Sequence, residues 1–194
     1  MKLVTNLFLR AKHWQIFLLL FGALLVAQMA MMNSIAPTTL PPENSGHIGL
    51  LSVMVIFIVC FLGWFWSMGS FLSSILQPTL KMKLGFFRFA LVFPAIYIPA
   101  FMFMAFSQKL NPTVFAVILP FHFFAMYCMF YLLYFVSKSL VLAETGKSAS
   151  FYDYAGPFFL LWFYPFGVWI IQPRINRLYA DRVNAEPLNE VSSG

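Results

Sequence analysis

Four stretches of this chain, 16–35, 50–72, 86–106 and 114–136, contain between them a single Lys, Arg, Asp or Glu, which is Arg88. An α-helix rises 1.5 Å per residue, so each stretch is about 30 Å long or more as a helix, the thickness of a bilayer's hydrocarbon core. The chain is 61% hydrophobic and 9% charged. A soluble domain carries roughly 25% charged residues to cover its surface, so these runs must face lipid or one another. The expected fold is an all-α integral membrane protein with four transmembrane helices. Amphipathic surface helices flank them at both ends, and a further apolar segment is re-entrant or interfacial.

The charges between the runs orient that bundle. With the N-terminus inside, one side of the membrane holds Lys2, Arg10, Lys12, Lys81, Lys83, Arg88, Lys138, Lys147, Arg174, Arg177 and Arg182. Only Lys109 falls on the other, an 11 to 1 split. The excess of Lys and Arg marks the cytoplasmic side, which places both termini there and suits the cytoplasmic membrane of a bacterium. The net charge of +6 is then accounted for by topology and by attraction to anionic headgroups. No basic face is left over for nucleic acid, which is not expected as a partner.

Residues 1–15 have the 3–4 spacing of an interfacial helix, with Leu3, Val4, Leu7, Phe8, Ala11 and Trp14 on one face. The run at 16–35 is longer than the h-region of a cleaved signal, so it reads as a retained span. Three prolines and two glycines make 36–49 a loop. Residues 137–183 are expected to contain a cytoplasmic loop, the apolar segment 157–171 and a basic surface helix, followed by a disordered polar tail at 184–194. As a helix, 157–171 reaches only about 22 Å. Counting it as a fifth span would also move Arg174, Arg177 and Arg182 outward and worsen the charge split to 8 against 4. With Pro165 and Gly167 near its middle, a re-entrant or interfacial segment is the preferred reading, and a short fifth span the alternative.

No nucleotide-binding glycine pattern, GxSxG, HExxH or CxxC is present. Cys60 and Cys128 sit in apolar runs, where a thiol acts as a small hydrophobe. Glu43 and His47 are four apart, but in a Pro- and Gly-rich loop rather than on a helix. No metal, cofactor or catalytic residue is therefore expected. Counting depth from each outer helix end puts Gln28 at about 10 Å, Cys60 at about 15 Å, Tyr97 at about 13 Å and His122 at about 12 Å. One group able to hydrogen-bond thus falls on each helix in a shared layer, and Pro94, Pro99 and Pro120 lie close to it. Such a layer either fixes helix register or surrounds a proton or polar ligand at His122; a single axial haem ligand is also compatible with one histidine. Gly63, Ser67, Ser70 and Ser74 form a small-residue stripe that lets another backbone approach closely. Arg174, Arg177 and Arg182 suit lipid headgroups or a partner.

The function expected from these features is that of a non-enzymatic subunit or accessory component of a membrane complex, with another membrane subunit or a second copy as partner. A small-solute or proton transporter or channel component built around His122 is the alternative, and an enzyme acting at the cytoplasmic face comes third.

Overall fold

The computed structural model describes residues 2–35, 45–107 and 111–191. The described chain is helical throughout: α1 (Lys2–Arg10), α2 (His13–Ile35), α3 (Ser45–Ile75), α4 (Leu84–Phe106), α5 (Pro112–Thr145), α6 (Phe151–Trp162) and α7 (Tyr164–Val191), with a 3-10 turn at Pro78–Leu80. Three helices are long and apolar enough to cross a membrane, over Leu51–Ile75, Leu84–Ala105 and Pro112–Thr145. The first expected span lies in α2, which is apolar over His13–Val26. Glu43 and most of the loop expected at 36–49 lie outside the described residues. The part from Ser45 onward is the first turn of α3.

Helix α3 is the axis of the fold, packing against α1, α2, α4 and α5. Its buried face includes Trp64, Phe65, Met68 and Leu72. Phe87 of α4 lies against Gly69 and stacks on Phe135 of α5 at 4.2 Å between centroids. The core is concentrated at one end of the bundle, called basal here, the end that holds the α3–α4 turn and the end of α5, with α1 packed against α3. Toward the opposite, distal end, α5 exposes Phe115, Val117, Phe121 and Phe123.

Two expectations are corrected. The fourth apolar helix does not stop at 136: α5 continues through nine residues expected as loop, 137–145. Ser137, Ser139, Leu140, Val141 and Leu142 are buried there by neighbouring helices, so the helix gains tertiary cover exactly where its sequence turns polar. It ends at Gly146, whose φ of 65° is the left-handed conformation that glycine adopts without a Cβ penalty. At the other end of the chain, α7 extends through Val191, across most of the segment expected to be a disordered tail. Ala180, Arg182, Ala185 and Glu186 are good helix formers that continue its register.

The apolar segment 157–171 is not one helix. Helix α6, begun by a capping box of Ser150 and Asp153, ends at Phe163, which has φ −89° and ψ 56°. The Ser150 hydroxyl and backbone N–H both donate to the Asp153 carboxylate and hold its pKa below the usual value. After the break the chain folds back on itself. In a straight helix, residues seven apart are separated by about 10 Å along the axis. Here a Cβ built on Gly167 would lie 1.7 Å from the Leu160 carbonyl oxygen. Helices α6 and α7 therefore form a hairpin with its open end basal. Its tip reaches the middle of α3 and α5, where Tyr164 meets Phe57 and Phe61, and Trp162 meets Phe130 at 4.6 Å. At 12 residues, α6 is about 18 Å long, too short to traverse a hydrocarbon core.

Candidate functional site

Of the four groups expected in one polar layer, the fold brings two together. The Tyr97 hydroxyl on α4 lies 3.3 Å from Nδ1 of His122 on α5. Phe93 stacks on Tyr97, and Phe101 lies 5.5 Å from the imidazole, so both rings are held by aromatic neighbours. Gln28 is exposed on α2 and Cys60 is half-buried on α3, and neither hydrogen-bonds the pair. The layer is thus a Tyr–His pair. A depth count places a residue along a helix axis, but packing determines which way it faces around that axis.

The pair sits at the edge of a cavity of about 330 Å³. Its walls are Ile98, Ala125, Met126, Met129 and Phe130, and Phe61, Leu133, Leu161 and Trp162 complete it. A second cavity of about 210 Å³ shares Phe61, Ile98 and Met129 with the first and reaches Tyr164. The tip of the α6–α7 hairpin thus borders two adjoining apolar spaces. When Tyr97 donates to Nδ1, the proton of a neutral imidazole resides on Nε2, and that N–H remains to donate to a ligand.

The small-residue stripe divides between two environments. Gly63 lies under the Phe8 ring of α1, and Ser67 is fully buried and donates to the Gly63 carbonyl at 2.8 Å. Ser70 is half-buried and Ser74 is exposed, and both line a basal cleft beside α4. Arg174 binds Glu144 through a two-point ion pair, its Nε donating at 2.7 Å, which ties α7 to the end of α5. Arg177 and Arg182 are exposed on α7. Lys138 lies against the rings of Tyr134 and Tyr154.

The most deeply buried polar constellation was not among the expected sites. Gln172 is fully buried on α7 and accepts from the Trp64 indole N–H at 2.9 Å. Its amide nitrogen lies 2.8 Å from the Phe8 carbonyl, 3.1 Å from the Ala11 carbonyl and 2.8 Å from Oδ1 of Asn176. Asn176 in turn donates to the Ala11 carbonyl. These acceptors lie where α1 gives way to α2, so Gln172 satisfies carbonyls that the helix end leaves without an intrahelical partner. The signal available in the sequence was a lone amide within an apolar run, Ile170-Ile171-Gln172-Pro173.

Among the described residues, no group of three or more His, Cys, Asp or Glu side chains is placed to hold a metal ion. In comparisons with known proteins, no protein family matches the chain, and no curated protein or solved structure matches it either.

Proposed function

We propose that this chain is a non-enzymatic, multi-pass membrane component that holds an apolar, membrane-resident molecule beside the α6–α7 hairpin tip. The observation that carries this reading is the cavity itself, almost wholly apolar, with one hydrogen-bonding pair, Tyr97 and His122, at its edge. Such a site suits a lipid-soluble molecule with an apolar body and one carbonyl or hydroxyl group. A proton or polar-solute pathway is less well supported, because Met129, Phe130, Leu133 and Leu161 offer water no hydrogen-bonding partner. A companion subunit is the second reading, favoured by the apolar surface that distal α5 exposes at Phe115, Val117, Phe121 and Phe123.

Decylubiquinone, which has an apolar chain and carbonyl acceptors, is a suitable probe, read by quenching of tryptophan fluorescence in nanodiscs. Ala125→Phe, which fills the cavity, is expected to abolish saturable quenching. Loss of the donor in His122→Phe is expected to weaken binding about tenfold, the equivalent of one hydrogen bond of about 1.4 kcal/mol. Wild-type quenching by both variants would refute the site.

In this reading α2–α5 are four spans, α6–α7 enters the bilayer from the cytoplasmic side, and Arg174, Arg177 and Arg182 lie at headgroup level. A cytoplasm-dependent reporter is expected to be active when fused after Gly194 and silent when inserted at Asn44. The reverse result at the C-terminus would require α6–α7 to cross the membrane.

A further inference from the structure

We propose that the basal cleft between α3 and α4 binds the phosphate of an anionic lipid headgroup. The cleft has a volume of about 360 Å³ and is lined by Ser70, Ser73, Ser74, Lys81, Met82, Leu84 and Arg88. Three features point to an anion. First, Lys81 and Arg88 bring two positive charges, and no carboxylate among the described residues lines the cleft. Arg88 is also positioned, its guanidinium carbon lying 5.8 Å from the centre of the Trp66 ring.

Second, Leu84 is the first residue of α4, and the preceding Lys83 makes no side-chain cap. The leading N–H groups of this helix are therefore left without a side-chain acceptor, and such groups bind phosphate readily. Third, Ser73 is only 4% exposed and lines the cleft, and its hydroxyl has no hydrogen-bond partner among the described residues. Ser67, Ser74 and Ser137 each turn their hydroxyl back to a carbonyl of their own helix. Ser73 does not, so its hydroxyl is left to donate to a ligand in the cleft.

One feature opposes an anion: α3 ends here, and a helix C-terminus carries about half a negative charge. The two side-chain cations and the N-terminus of α4 outweigh it. The cleft lies where the α3–α4 turn leaves the apolar part of both helices, the level at which a headgroup phosphate would meet it in the proposed orientation. This placement rests on the membrane reading above. The reporter fusions test that reading independently of the cleft.

The test is native mass spectrometry of the full chain in detergent, titrated with phosphatidylglycerol or with phosphatidylcholine of the same acyl chains. Wild-type protein is expected to prefer phosphatidylglycerol by about tenfold, and millimolar inorganic phosphate is expected to compete with it. Lys81→Gln with Arg88→Gln should erase the preference, and Ser73→Ala should reduce it severalfold. Lys147→Gln, an exposed position that does not line the cleft, should leave it intact. Both cationic positions are exposed, and unchanged far-UV circular dichroism and thermal midpoint in detergent would establish that the double variant is folded. A preference that survives in the folded double variant overturns the proposal. Binding of inorganic phosphate without any preference between the lipids overturns the headgroup assignment in favour of free phosphate.

Discussion

Gly167→Ala is expected to open the α6–α7 hairpin and lower the stability of the purified protein by about 3 kcal/mol or more, toward or beyond the upper range for overpacking. The added Cβ would lie 1.7 Å from the Leu160 oxygen and 2.4 Å from its carbonyl carbon. Both are backbone atoms, so no side-chain rotation relieves the collision and two helices must separate. Parting them would withdraw Leu161, Trp162 and Tyr164 from the two apolar cavities they border. Gly156→Ala is the matched control. A Cβ there meets nothing within 4 Å, and alanine favours a helix over glycine by about 1 kcal/mol. Denaturation in mixed detergent micelles measures both variants, and equal stability would show that the hairpin is not closely packed.

The second large effect is expected at Gln172. Replacement by leucine keeps a similar volume but removes the acceptor of the Trp64 indole and the donor to the Phe8 carbonyl. A buried polar group left without a partner costs roughly 1–3 kcal/mol, so two such groups imply a loss of about 3 kcal/mol. Trp64→Phe removes one of the two stranded groups. In the double variant the penalties should therefore be less than additive, with a coupling of about 1 kcal/mol. Strict additivity would mean that the 2.9 Å contact carries no energy.

The three long helices were legible because each run is apolar over almost its whole length, with Arg88 the one charge among them, and bounded by charge, Pro or Gly, a pattern that needs no partner to interpret. The break in 157–171 was legible for a related reason: Pro165 and Gly167 punctuate a stretch too short to cross. The end of α5 was not. Residues 137–145, SKSLVLAET, look like solvated loop, and their burial depends on parts of the chain distant in sequence, such as Met82, whose sulfur accepts from the Ser139 hydroxyl. The amide residues show the same limit. Gln28 and Gln172 are both single amides in apolar surroundings, yet one is exposed and the other fully buried. The orientation that separates them comes from tertiary packing, and the closing of α7 onto the α1–α2 junction is marked locally by no more than that lone amide. Tyr97 and His122 were brought to the same level by counting along two neighbouring helices, a comparison that succeeds only when both happen to face the shared seam.

The Gln172 clasp also bears on how the chain is made. Its hydrogen bond to the Phe8 carbonyl joins residues 164 positions apart, α7 latching α1. A ribosome adding about 5–20 residues per second would need roughly 10–30 seconds to supply the second partner after the first. Throughout that interval the α1–α2 junction lacks its clasp, and the indole of Trp64 lacks the acceptor it finds in the finished protein. A nascent chain arrested before residue 172 should remain open to proteolysis at Ala11–Lys12, and that sensitivity should disappear when α7 emerges.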